Sequence, residues 1–227
     1  MENNNATRRE RFSGKTPNEI FNLVYDTRDW SSEESISGHG SSMIHTASER
    51  MRLPLLFEKY DIKRIVDVAC GDFNWIKRVA GGVDYYRGTD IVERLVDSNN
   101  KKYSIPRKIE FQHNDIIDGE FINDGEFDAI IAKDVLVHFP TVDVIKVIEK
   151  FKESGIKYLF ATHFYELPLN PDIIIHGQWR PMNLTKDPFN LGSPIEIIKE
   201  KSEFYNWDIN DKLVKVNDKS LSLWKIN

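Results

Sequence analysis

One cysteine, Cys70, stands in a chain of 227 residues. It excludes an intrachain disulfide and any metal centre built from several thiolates. The six histidines fall at 39, 45, 113, 138, 163 and 176, with no His-x3-His pair, so no metal site is predicted. No run of about 18 apolar residues occurs, and nothing is expected to span a membrane. The opening MENNNATRRERF has no apolar stretch of signal-peptide type, which makes the cytoplasm the expected compartment. A basic surplus is missing too. The net charge of −5 counts against a general nucleic-acid binder.

What is present suits one globular domain, 40% hydrophobic and 30% charged, expected as a monomer or a homodimer. Residues 1–15 read as a flexible tail whose Arg8, Arg9 and Arg11 form a solvated cluster. A helix is predicted from Pro17 to about Asp26, since Ile20, Phe21 and Val24 share a face. SSEESISGHGSS (31–42) reads as a flexible loop, either linker or lid, so residues 1–44 form an arm before a domain at 45–227. Thr46 and Glu49 match a capping box opening a helix towards Tyr60, with Pro54 expected to kink or divide it.

From there the chain alternates. Strands are predicted at 63–69, 84–89, 108–113, 128–133 and 156–162, and helices at 73–80, 91–101 and 141–154. In the last helix Thr141 is the expected cap, Val144, Val147, Ile148 and Phe151 make one stripe, and Gly155 ends it. Apolar strands separated by helices predict an α/β fold, a parallel sheet covered on both faces. Residues 164–192 break the rhythm as a Pro-rich insertion on the acceptor side. Two further strands near 195–199 and 220–226 suit a hairpin-like pair at one edge.

In open α/β sheets, ligands bind beyond the carboxyl ends of the strands. The first strand ends in Asp67 and the turn Ala69-Cys70-Gly71, with Asn74 just beyond. The second ends in Asp90-Ile91, some twenty residues on, where a carboxylate can accept both ribose hydroxyl hydrogens. The third offers Asn114, Asp115 and Ile116 for an adenine. The fourth gives Lys133-Asp134 with His138 after it, and the fifth His163. A dinucleotide would need G-x-G-x-x-G for its pyrophosphate. Here A-C-G-D-F-N sets Asp67 and Asp72 against such an anion, which disfavours an NAD-dependent oxidoreductase. A ligand with an ammonium and a positive centre fits instead: S-adenosylmethionine.

At these residues the chain resembles the class I S-adenosylmethionine-dependent methyltransferases. Their D-x-G-x-G-x-G motif corresponds to D-V-A-C-G-D-F, which keeps Asp67 and Gly71 and has Ala69 and Phe73 in place of two glycines. The resemblance covers about 45–165. It implies Asp90 as the ribose acid, Asp115 as an adenine contact and AKDVLVHF as the fourth-strand motif. It also implies a Rossmann-like, mostly parallel seven-stranded sheet with an antiparallel C-terminal strand. More narrowly, ESISGHGS (34–41), CGDFNW (70–75), DVLVH (134–138) and WRPMNL (179–184) are similar to a small bacterial and viral group associated with tailoring of surface sugars and other small metabolites.

Methyl transfer from an activated sulfonium is mainly a matter of alignment and exclusion of water. A hydroxyl acceptor also needs its proton removed, which makes His138 the first candidate base and His163 the second. Asp134 is a candidate to orient one of them or to hold the donor's ammonium. Ser37, Gly38 and Ser41 are candidates to close over the site. Arg180 suits a phosphate or carboxylate, Trp179 a sugar or base face, and Asn183 a polar edge. The expected reaction is O-methylation of a saccharide or nucleotide-linked sugar. Methylation of nitrogen or carboxyl, and a non-catalytic nucleoside-binding role, stand as alternatives.

Overall fold

The computed structural model describes residues 5–120, 126–201, 205–209 and 212–227. Three helices come first: α1 (Asn5–Phe12), α2 (Pro17–Thr27) and α3 (Ala47–Lys59). The alternating part follows as β1 (Arg64–Val68), α4 (Lys77–Ala80), β2 (Tyr85–Asp90), α5 (Glu93–Tyr103), β3 (Ile109–His113), β4 (Ala129–Ala132), α6 (Thr141–Glu153) and β5 (Tyr158–Phe164). β6 (Glu196–Lys199), the hairpin β7 (Tyr205–Ile209) and β8 (Lys212–Val216), and β9 (Lys219–Lys225) complete the chain.

Seven strands form one sheet in the order β3-β2-β1-β4-β5-β9-β6. The first five run parallel, and β9 inserts antiparallel between β5 and β6. This is the expected architecture. Each central strand is buried on both faces, as covered parallel sheets require. Val66, Val68, Ile130 and Leu159 pack with the α6 stripe of Val144, Val147, Ile148 and Phe151. Ile65, Ile131 and Phe160 pack on the other side with Leu53, Phe57, Val79 and Val96. Burying the four α6 side chains stabilises the fold by on the order of 6–12 kcal/mol before entropy is counted. The order of strands reverses direction between β1 and β4, which opens a crevice above their carboxyl ends.

Several local expectations give way. Residues 5–12 are helical, not a tail: Phe12 is fully buried, and Arg8 and Arg11 both reach Asp29, at 3.3 and 3.6 Å. The capping box lies at Thr16 and Glu19, opening α2, and not at Thr46 and Glu49. Thr46 spends its hydroxyl on the Ser42 carbonyl, while Glu49 turns into the core. α3 runs through Pro54 as a single element. Residues 74–76 are turns, so the helix expected from 73 shrinks to α4. Thr141 is the first residue of α6, and its hydroxyl accepts from Arg180 instead of capping. The hairpin β7–β8 was not expected at all. No helix among the described residues is long and apolar enough to cross a membrane.

Candidate functional site

A cleft of about 1110 Å3, its open mouth included, occupies the crevice. Its floor is the turn after β1. Here Ala69, Gly71 and Phe73 all take positive φ (53°, 56° and 59°), a conformation costing roughly 1–3 kcal/mol at each non-glycine residue. Surrounding bonds hold it. Cys70 N donates to Thr89 O at 2.9 Å, Gly71 N to Asp90 Oδ2 at 3.1 Å, and Asn99 Nδ2 to Gly71 O at 2.7 Å.

Two acids stand over this floor. Asp67 accepts from the Tyr86 hydroxyl at 2.8 Å and forms no ion pair among the described residues. Burial, with Asp90 nearby, pushes its pKa up to about 7 against the Tyr86 bond. A buried carboxylate this poorly compensated suits a cation. Asp90 accepts from Gly71 N and from Val92 N at 3.0 Å; burial raises its pKa and those bonds oppose the rise. At the next strand end, Asp115 folds back on the amides of Ile117 and Asp118. Ile91, Asn114, Ile116 and Ile117 line the cleft beside it.

The β4 end carries a buried charge cluster. Lys133 Nζ lies 2.8 Å from Asp134, 3.4 Å from Glu200 and 3.9 Å from Glu49. Lys219 Nζ reaches Asp134 at 2.7 Å and Glu200 at 3.0 Å. Burial alone would raise the Asp134 pKa, but the two ammonium groups pull it far below the usual carboxylate range. Asp134 is therefore ionised and already compensated, which leaves it little to offer a further cation. Glu49 is the opposite case: burial, then the nearby Glu200 charge, lifts it to about 8.

His138 lines the cleft within a 3-10 turn. Its Nδ1 lies 2.8 Å from the Gln178 carbonyl, which can only accept, so Nδ1 carries the proton and Nε2 the lone pair. Burial depresses its pKa to about 4 against that bond, so the ring is neutral at neutral pH. Trp30 stacks on it, ring centroids 4.3 Å apart and 21° between planes.

The loop at 31–42 is stitched to the turn below. Asp72 accepts from Ser35 Oγ and Ile36 N, both at 3.0 Å, and its own amide donates to Ser37 Oγ at 3.0 Å. Asn74 donates to Ser41 O, and Lys133 to Gly40 O, each at 3.0 Å.

The cleft brings together Asp67, Ala69, Cys70, Gly71, Asp90, Ile91, Asn114, Asp115, Ile116, Lys133, Asp134, His138, Ser37 and Ser41. It does not gather the others. Gly38 caps the short turn of the loop, and Asn74 lies beneath that loop. His163 is fully buried; its Nδ1 accepts from Leu184 N at 3.1 Å, and Trp224 packs at its edge. Arg180 is fully buried as well, donating to Phe139 O, Pro171 O, Asp172 and Thr141. Asn183 ties down the carbonyls of Tyr165 and Leu167, and Trp179 packs on Phe164. None of these four lines the cleft. Trp30, with the 37–41 loop a candidate lid by sequence, lines the wall, and sequence reasoning missed Phe21, Val24 and Tyr25 beside it. The apolar stripe of α2 was the available signal. Glu49, Glu200 and Lys219 gave none.

Residues 65–154 match the family described as a methyltransferase domain. No curated protein matches the chain by sequence. Among solved structures the fold is similar to magnesium protoporphyrin IX methyltransferase from Synechocystis PCC 6803, at 12% identity and a TM-score of 0.54, over 92% of this chain and 99% of that one. It is similar to the N-methyltransferase NodS from Bradyrhizobium japonicum WM9 at 12% identity and 0.55, over 89% and 97%. Human N-acetylserotonin methyltransferase matches at 14% and 0.57, over 96% of this chain and 61% of that one. At these identities the likeness is one of fold. Residues 65–154 thus match a methyltransferase-domain family, in a chain with the Rossmann-like fold of solved methyltransferase structures.

Proposed function

We propose that this methyltransferase moves a methyl group from S-adenosylmethionine to a hydroxyl of a small molecule, with His138 as the base. The observation that carries the reading is the convergence on one cleft of an uncompensated buried acid, a second acid at the β2 end and a neutral histidine.

The donor is S-adenosylmethionine, which supplies an electrophilic methyl on a sulfonium. Asp90 and the Asn114-Asp115 end of β3 are its nucleoside side, with Ile91 and Ile116 as apolar faces. Asp67 suits its positive charge. His138 acts through Nε2, which takes the acceptor's proton as the oxygen attacks. Gln178 fixes the tautomer that makes this nitrogen basic, so residues 164–192 serve the acceptor side by bracing His138. The arm's described residues, 5–44, cover the cleft and keep water from it, Trp30 lying on His138 and residues 35–37 on Asp72. Among acceptors, an uncharged hydroxyl compound fits this reading, a free saccharide or another neutral alcohol. A nucleotide-linked sugar loses its expected anchor, because the Arg180 guanidinium is already spent on the protein.

Calorimetric titration with S-adenosylhomocysteine tests the donor. Wild type should bind in the micromolar range and Asp90→Ala at least tenfold more weakly; an unchanged affinity would remove Asp90 from the site. Once an acceptor is in hand, His138→Gln should lower kcat by about 10²–10⁴ with donor affinity kept. A kcat within threefold of wild type would instead favour a nitrogen or carboxyl acceptor, which needs no base there.

A further inference from the structure

With the donor assigned to Asp67, Asp90, Asn114 and Asp115, the wall beside His138 is what remains for the acceptor. That wall consists of Phe21, Trp30, Val135 and Phe139. The aromatic members support one another: Phe21 meets Trp30 edge-on at 5.9 Å and Phe139 at 6.0 Å. Trp30 presents one face to His138 and thus stands where a flat molecule reaching that ring would pass.

The charges on this side tell against an anion. Lys133 is the one cation among the lining residues described, and it is engaged by Asp134, Glu200 and Gly40 O. Four carboxylates line the same cleft: Asp67, Asp90, Asp115 and Asp134. The cations just outside it are committed elsewhere, Lys219 to Asp134 and Glu200, Arg8 and Arg11 to Asp29. Arg180 is buried in its own network of backbone and side-chain acceptors. A phosphate or carboxylate entering here would be stripped of water without a free partner. A neutral ring would lose little and would gain an aromatic surface.

We propose that the acceptor is an uncharged aromatic alcohol or phenol, held against Trp30, and that acceptors carrying a phosphate or carboxylate are rejected. This rests on the methyl-transfer reading of the same cleft and narrows its substrate class. The hydroxyl proton goes to His138 Nε2, the oxygen forms the new bond to the methyl carbon, and the sulfonium keeps the electrons of the broken carbon–sulfur bond.

The test uses protein saturated with S-adenosylhomocysteine and ligand-observed NMR at pH 7 with three probes: 2,3-dihydroxynaphthalene, its carboxylate derivative, and methyl glucoside. The neutral naphthalene should bind at least tenfold more tightly than either of the others. Trp30→Lys should narrow or reverse the gap between the neutral and carboxylate probes; should that variant fail to fold, the comparison on wild type decides. Equal or tighter binding of the carboxylate overturns the proposal. So does preference for methyl glucoside, or silence from all three while S-adenosylhomocysteine is bound. Failure of S-adenosylhomocysteine itself to bind would overturn the donor reading instead.

Discussion

Asp72 does not itself line the main cleft, and removing its carboxylate should release the loop at 31–42. The carboxylate holds the loop by two bonds, from Ser35 Oγ and from Ile36 N, both at 3.0 Å, while the bond from the Asp72 amide to Ser37 Oγ does not depend on it. Bonds to a charged acceptor are each worth about 1.5–3 kcal/mol. The groups are only half-buried, so the lower figure applies, and two bonds give about 3 kcal/mol for docking the loop. That corresponds to roughly a 150-fold shift towards the undocked state in Asp72→Ala. The bond from Asn74 N lies within the turn and survives or fails independently of docking. Hydrogen exchange reads the effect directly. Ile36 must lose protection trivially, since its amide donates to Asp72 itself. The informative amides are Ser41 and Ser42, which donate to Gly38 O and His39 O and never touch Asp72. If the loop docks as one unit, their protection falls about 100-fold together, and Asp72→Asn, which keeps one acceptor, falls between. Faster exchange confined to Ile36, with Ser41 and Ser42 as in wild type, would refute the idea that Asp72 fastens a cooperative cover.

Gly40→Ala attacks the same cover from the other side. A Cβ there would lie 2.4 Å from Asp134 Oδ2, an atom pinned by Lys133 and Lys219, so the loop must lift at a cost of about 1–3 kcal/mol. S-adenosylhomocysteine should bind roughly tenfold more weakly; wild-type affinity with wild-type loop protection would contradict this. Glu49→Gln tests the buried cluster through pH. Glu49 titrates near 8 in the fold and near its ordinary value of 4.5 when unfolded. Between those values the native state binds the extra proton, so its contribution to stability is present below about 4.5 and lost as pH rises through 8. Urea unfolding should find the variant similar to wild type at pH 5 and more stable by roughly 2–4 kcal/mol at pH 9. Equal differences at both pH values would show that Glu49 is ionised throughout.

What was readable in the sequence follows from which forces are local. The central strands are continuous apolar runs because both faces are covered, and their carboxyl ends meet at one rim by topology, so counting strand ends reaches Asp67, Asp90 and Asp115 without any knowledge of contacts. α1 was unreadable because NATRRERF has no apolar periodicity; it is fixed by one phenylalanine and by Asp29, far along the chain. A carboxylate just before a helical pattern reads as a local acceptor, and Asp72 does take the Asn74 amide, yet it also takes Ser35 Oγ and the Ile36 amide from far along the chain. The W-R-P-x-N-L segment is the more instructive failure. An arginine fork that suits a phosphate also suits two backbone carbonyls, and sequence cannot tell an anion in solution from Phe139 O and Pro171 O in the fold. The backbone leading into the segment still acts on the site, at one remove. Gly177 N donates to His138 O at 3.0 Å and Arg180 N to Val137 O at 3.1 Å, while Gln178 O receives the His138 proton. Main-chain groups at 177–180 therefore set the orientation and tautomer of His138, and the backbone leading into the motif works as the brace behind the proposed base.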